Sequence, residues 1–167
     1  MKIVHFRPME DIRHIADAEF EKRKQQLLEL MPYADVQHVG STSIPGALTK
    51  GDLDIQVRVA EREFEAAKAL LRKYFRPNHE YEIWSESFAS FEDYDNIDIP
   101  LGIQLTIKDS VYDEFHLVRE LFRSSPELLE RYNELKRSVD GRPYSEYRKR
   151  TRDFFGPNGS NRLFKIT

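Results

Sequence analysis

Two stretches of the chain alternate strictly between aliphatic and polar side chains. In residues 52–59, Leu53, Ile55, Val57 and Val59 interleave with Asp52, Asp54, Gln56 and Arg58. In residues 101–107, Leu101, Ile103, Leu105 and Ile107 interleave with Gly102, Gln104 and Thr106. A period of two is the signature of a β-strand, whose successive side chains point to opposite faces. Each stretch therefore predicts a strand with one dry face, which must pack on helices, and one polar face.

Elsewhere the apolar positions recur at helical spacing. Ile12, Ile15, Ala16, Phe20, Leu27 and Met31 predict a helix over about 10–31, ended by Pro32. Phe64, Ala67, Leu70, Leu71 and Tyr74 predict a second over about 61–75, closed by Arg76-Pro77-Asn78. Ser110 and Asp113 resemble a capping box opening a helix to about 123. Ser125-Pro126-Glu127 reads as an N-cap followed by Pro at the first helical position, for a helix to about 138. A last helix is expected over about 143–155, stopping at Gly156-Pro157.

Shorter elements fill the gaps. Residues 2–6 are a short apolar-polar stretch ended by Pro8, and 36–39 read as a strand. Gly40 to Gly46 forms a turn-rich loop. The aromatic segment 80–91 suits one or two strands, with an acidic hairpin-like segment from Glu92 to Asn96. The sum is a mixed α+β fold in a single domain spanning 1–167. One face of a mixed sheet is covered by helices, and further helices follow at the C-terminal end.

Composition narrows the chemistry. With 167 residues the chain buries roughly 70% of its unfolded surface and needs no staple. It has no cysteine, which excludes disulfides, thiolate metal sites and thiol nucleophiles. The N-terminal residues form no signal peptide, and no apolar run of membrane-spanning length occurs, so a cytoplasmic location without membrane contact is expected. A net charge of −3 carries no strong nucleic-acid signal. The charge is uneven: residues 119–167 hold 12 Lys/Arg against 7 Asp/Glu, while residues 1–118 hold 14 against 22. An acidic body and a basic tail could face each other across a cleft, or the tail could be two solvated helices.

The candidate chemistry gathers on strand 52–59. Asp52 and Asp54 share its polar face, and like charges at that spacing call for a compensating cation. An all-oxygen pair suits Mg²⁺ or Mn²⁺. Upstream, Gly40 allows close backbone approach, and Ser41, Thr42 and Ser43 add hydroxyls and amides. Together they have the chemistry of a phosphate-cradling loop, to which Lys50 could add charge. A Gly-Ser loop feeding an Asp-x-Asp strand suits metal-dependent transfer from a nucleoside triphosphate.

The segment His38-Val39-Gly40-Ser41-Thr42-Ser43-Ile44-Pro45-Gly46, continuing through Lys50 to Asp54-Ile55, resembles the signature of the GrpB family. The likeness extends over 111–135, with Tyr132-x-x-Leu-Lys136, and over the helix from Tyr147 to Phe155. That family resembles the DNA polymerase beta superfamily of nucleotidyltransferases. The resemblance implies a mixed sheet flanked by helices. Many members carry an apolar residue where this chain has Asp52, so this chain has both carboxylates of the transferase pattern. Active superfamily members use a third carboxylate on a neighbouring strand. Here that strand shows Gln104 and Thr106, and Asp98, of matching parity, is separated from it by Pro100.

The expected site therefore comprises Asp52 and Asp54 as catalytic metal ligands. Gly40, Ser41, Thr42, Ser43, Lys50, Arg148 and Arg152 are its phosphate contacts, the two arginines coming from the last helix. The ligand is a nucleotide or other phosphorylated small molecule, and the protein either transfers its nucleotidyl group or only binds it. The competing assignments are structural: Asp54 paired with Arg58, His38 in a packing role, and Trp84, Phe88 and Phe91 in the core. A pure interaction module has the least support, given the polar strand face.

Overall fold

The two alternating stretches become neighbours at the centre of one sheet. In the computed structural model, which describes residues 1–78, 84–94 and 99–155, the elements follow in this order. They are β1 (Arg7–Pro8), α1 (Arg13–Leu30), β2 (Asp35–Val39), β3 (Leu48–Thr49), β4 (Leu53–Val59) and α2 (Phe64–Tyr74). Then come β5 (Arg76–Pro77), β6 (Phe88–Asp93), β7 (Leu101–Ile107), α3 (Phe115–Ser124), α4 (Pro126–Ser138) and α5 (Tyr144–Phe155). Strands run β2-β4-β7-β6-β5 in a mixed sheet: β4 and β7 are parallel, the other pairs antiparallel. β1 and β3 form a separate two-stranded ribbon.

The register is the one the alternation requires. Leu53, Ile55, Val57, Val59, Leu101, Ile103 and Leu105 are all fully buried, against Ala16 and Leu27 of α1 and Phe64, Ala67 and Leu71 of α2. Each such aliphatic side chain contributes about 1.5–3 kcal/mol when removed from water. A one-residue slip would take the whole set off α1 and α2 and drive Asp54, Gln56 and Arg58 into the aliphatic layer, so the register is strongly specified.

The opposite face is less open than the alternation implies. α3 lies across its far half, beside a cluster of Val39, Phe88 and Phe115. α4 and α5 continue the cover through Tyr132, which packs with Phe122 of α3, and through Tyr147. Gln56 and Thr106 on this face are fully buried. Gln56 donates to Thr106 Oγ1 (3.0 Å) and Asp113 Oδ1 (2.9 Å), and its oxygen accepts the backbone N–H of His116 (3.2 Å). Arg58 makes a two-pronged contact with Asp113, 2.7 Å to each oxygen, and a third bond to Asp35 at 2.7 Å.

That network decides one competing assignment and corrects one expectation. Arg58 pairs with Asp35 and Asp113, not with Asp54. Ser110 and Asp113 do not cap a helix: α3 begins only at Phe115, and the Asp113 carboxylate instead accepts the Asp109 N–H at 2.7 Å and clasps Arg58. A half-buried cation on β4 outcompetes the local cap for that carboxylate. Ser125 does cap α4, its hydroxyl accepting the Leu128 N–H at 3.3 Å, with Pro126 first in the helix.

Several boundaries move. Residues 2–6 contribute only an isolated bridge from Ile3 to Pro143. The first helix starts at Arg13, after a 3-10 turn at Met9–Asp11. Glu92 belongs to β6, so the acidic stretch is strand at its start. Part of the aromatic segment, Asp98 and the Gly156-Pro157 stop lie outside the described residues.

Candidate functional site

The site forms where β2 ends against the start of β4. β2 stops at Val39, and Gly40 turns the chain with φ +74° and ψ −176°. That combination is essentially restricted to glycine. Val39 pairs with Asp54, and Asp54 pairs with Gly102 on β7. A methyl group on Gly40 would overlap Asp54 Oδ2, and one on Gly102 would stand 3.1 Å from Asp54 Oδ1. The Asp54 carboxylate is thus held between two residues that have no side chain. Sequence alternation put Asp54 on the polar face, and the two glycines leave room for it there.

Gly40, Ser41, Lys50, Asp52 and Asp54 line one cavity, joined by Gly102, Gln104 and Arg119, and by Tyr132, Lys136 and Tyr147 of α4 and α5. It encloses about 80 Å³. Lys50 Nζ lies 3.5 Å from Asp52 Oδ2 and packs over the rings of Tyr144 and Tyr147, at 5.1 and 5.6 Å. Ser41 Oγ donates to Thr49 Oγ1 at 3.0 Å.

The remaining expected phosphate contacts are placed differently. Thr42 and Ser43 are buried behind the loop and do not line the cavity. Thr42 Oγ1 bonds His38 Nε2 (2.9 Å), and Ser43 Oγ donates to Gly40 O (2.6 Å), so both hydroxyls shape the turn. His38 also stacks on Phe20, 4.9 Å between centroids, and burial pushes its pKa down to about 4, as suits a packing histidine. α5 does wall the cavity, but through Tyr147. Arg148 lies over the Tyr144 ring at 5.9 Å, and Arg152 is exposed; neither lines the cavity. One helical turn brings only one side of α5 to the cleft, and its buried aromatic took that side.

Two features were not singled out beforehand. Lys136 is 2% exposed; its Nζ donates to Leu48 O at 2.6 Å and sits 4.2 Å from the Tyr132 ring centre. The signal was its spacing: Tyr132 and Lys136 are four apart, hence on one helical face, and Tyr132 is a core aromatic. Arg119 and Arg123 of α3 clamp the loop. Arg119 Nη1 donates to His38 O (2.9 Å), and Arg123 donates twice to Ser43 O (3.0 and 2.6 Å).

The electrostatics centre on Asp54. Burial, and secondarily the Asp52 charge, raise its pKa to about 7, against the pull of Lys50 and Lys136. Burial, then Lys50, pushes Lys136 down to about 7, while Asp54 holds it up. A pair of carboxylates offers the oxygen donors that suit a hard divalent cation. Glu92 shares the ladder row of Gly102 and Asp54, but its Oε1 accepts from Arg76 Nε at 2.9 Å. Among the described residues no group of three His, Asp or Glu side chains could together hold a metal.

Residues 10–156 match the model of the family described as GrpB protein. The chain belongs to the GrpB family. A UPF0157 protein of Vibrio cholerae serotype O1 is 33% identical over 135 residues, covering 81% of this chain and 71% of that protein. The crystal structure of the conserved protein GrpB from Enterococcus faecalis is similar at TM-score 0.63 and 18% identity, over 90% of each chain. The expected mixed α+β fold is therefore one this GrpB-family chain shares with a solved member. A more distant likeness is to the Cid1 poly(U) polymerase in its MgGTP-bound structure. There the TM-score is 0.49 and the identity 14%, over 71% of this chain and 38% of that one. No helix among the described residues is long and apolar enough to cross a membrane.

Proposed function

We propose that this GrpB-family chain is a metal-dependent nucleotidyltransferase-like protein that takes a nucleoside triphosphate in the cleft between Gly40 and Asp54 and passes its nucleotidyl group to an acceptor. The observation that carries this reading is the turn at Gly40, laid directly on the Asp54 carboxylate, with Asp52 and Lys50 opening into the same cavity. Asp52 and Asp54 would hold Mg²⁺ or Mn²⁺. Their oxygens fit a hard cation, and such an ion would offset the burial, and after it the Asp52 charge, that raise the Asp54 pKa. When bound, that ion supplies polarisation of the phosphoryl oxygens.

This chain's own groups do the rest. Gly40 brings main chain to within contact of the ligand, and Lys50 and Lys136 offset phosphate charge. Tyr132 and Tyr147 exclude water from the inner wall. Arg119 and Arg123 hold the loop in place through His38 O and Ser43 O.

A second reading has its own support. β7 presents Gly102 and Gln104 beside Asp54, neither of them a carboxylate. With two acidic ligands among the described residues, the site favours binding a metal–nucleotide complex over turning it over. One experiment separates the two. The protein is incubated with each nucleoside triphosphate and Mn²⁺, pyrophosphate release is measured, and calorimetry is run in parallel on wild type and Asp54→Asn. Release that Asp54→Asn abolishes supports transfer. Nucleotide-dependent heat without release, lost in Asp54→Asn, supports binding alone. Equal heat from wild type and variant eliminates both readings at this site.

A further inference from the structure

A second row of functional groups crosses the polar face one step beyond Asp54. Gln37 pairs with Gln56, Gln56 with Gln104, and Gln104 with Ser90. Asn78 extends the row, donating its backbone N–H to Ser90 O at 2.8 Å. Residues two apart on a strand share a face, so Gln104 points to the same side as Gly102 and its neighbour Asp54. Gln56 is fully satisfied by Thr106, Asp113 and His116.

Gln104 is different. It is 4% exposed, yet among the described residues its Oε1 has no hydrogen-bond partner, and neither has the Ser90 hydroxyl beside it, 1% exposed. The Gln104 side chain leans back over Gly102: its Nε2 is 3.4 Å from the point where a Gly102 Cβ would stand, itself 3.1 Å from Asp54 Oδ1. Gln104 and Asn78 line the same cavity as Asp54. A buried primary amide left unmet costs stability, and Gln104 repays that cost with no hydrogen bond from its Oε1 to the fold.

We propose that Gln104, backed by Ser90 and separated from Asp54 only by the bare backbone of Gly102, is a binding subsite for an uncharged hydroxyl group, as carried by a polyol or a nucleoside sugar. An amide oxygen needs a donor and an amide nitrogen needs an acceptor, and a hydroxyl is both. The cavity carries charge of both signs, Asp52 and Asp54 with Lys50 and Lys136, and the uncharged amide of Gln104 selects neither an anion nor a cation. A group seated on Gln104 lies beside the carboxylates, which is the place for the acceptor. This deepens the transferase reading above and rests on it for the identity of the second ligand, while the subsite itself rests on Gln104 alone.

The test uses the full chain with glycerol, ribose and adenosine as uncharged probes, followed by the Gln104 side-chain amide signals in proton–nitrogen spectra. At least one probe is expected to move those signals. Gln104→Met, similar in length without the amide, should bind that probe roughly tenfold more weakly and melt no lower than wild type. Asp54→Asn should keep probe binding even where it loses the Mn²⁺–nucleotide complex, so a failed subsite and a failed metal site give different results. The proposal is overturned if no probe moves the Gln104 signals and only water occupies the place. It is likewise overturned if Gln104→Met binds as wild type does, or melts well below it, which would make Gln104 a structural support.

Discussion

Replacing Asp54 with Asn should stabilise the ligand-free protein, and the gain should depend on pH in a defined direction. The Asp54 carboxyl is raised from 3.8 to about 7, chiefly by burial and next by Asp52. In the unfolded chain it ionises near its ordinary value; in the folded chain it holds its proton until near neutrality. The unfolded state therefore binds fewer protons between pH 3.8 and about 7, and this group makes stability fall as pH rises through that window. At 1.36 kcal/mol per pH unit the full cost above about pH 7 is about 4 kcal/mol. Polar relaxation around a partly exposed carboxylate brings the expectation to roughly 2–4 kcal/mol. Lys136 pulls towards the lower end, since Asp54 supports its charged form. Urea denaturation of wild type and Asp54→Asn should show the variant more stable at about pH 8 and the two converging near pH 4. Mn²⁺ with a nucleoside triphosphate should narrow the gap by stabilising wild type alone. If Asp54→Asn is no more stable at about pH 8, or the difference is the same at both pH values, the account of an uncompensated carboxylate is wrong.

Other expectations follow from the same geometry. Gly40→Ala combines a positive φ with overlap on Asp54 Oδ2, and should cost about 2–4 kcal/mol, read as a lower melting temperature and lost nucleotide response; an unchanged melting temperature would mean the turn is not held as described. Arg123→Ala removes both bonds to Ser43 O; it should cost about 1–2 kcal/mol and speed amide exchange in the 41–46 loop, whereas unaltered exchange there would show that α3 does not clamp it. Asp113→Ala leaves Arg58 half-paired under α3 and should cost about 3–5 kcal/mol by chemical denaturation; a loss below about 1 kcal/mol would make the network ornamental. Arg148→Gln with Arg152→Gln should leave the affinity for Mn²⁺–nucleotide within about threefold by calorimetry, because neither side chain lines the cavity; a tenfold loss would return α5 to the role of a phosphate clamp.

The strands expected at 52–59 and 101–107 were legible to within one residue, Asp52 standing just before β4 and not on it, because a period of two with one aliphatic face admits a single register. The Ser125-Pro126 cap was legible because capping is local. So was the pairing of a Gly-Ser turn with Asp52 and Asp54, since each needs only near neighbours to be recognised. What lay beyond the sequence was every choice between distant partners. Asp113 is a plausible cap for its own helix, and only the approach of Arg58 from β4 assigned it elsewhere. Four cationic residues crowd α5, yet packing turned Tyr147 to the cleft and left Arg152 in water. Lys136 reads as a surface lysine until α4 docks and buries it over Tyr132 beside Asp54. Gly102 is an unremarked strand residue until β7 lies against β4, when its missing side chain becomes the space beside the Asp54 carboxylate. Local patterning decides which face a residue takes; long-range packing decides what meets it there, and the charges at this site take their values from that meeting.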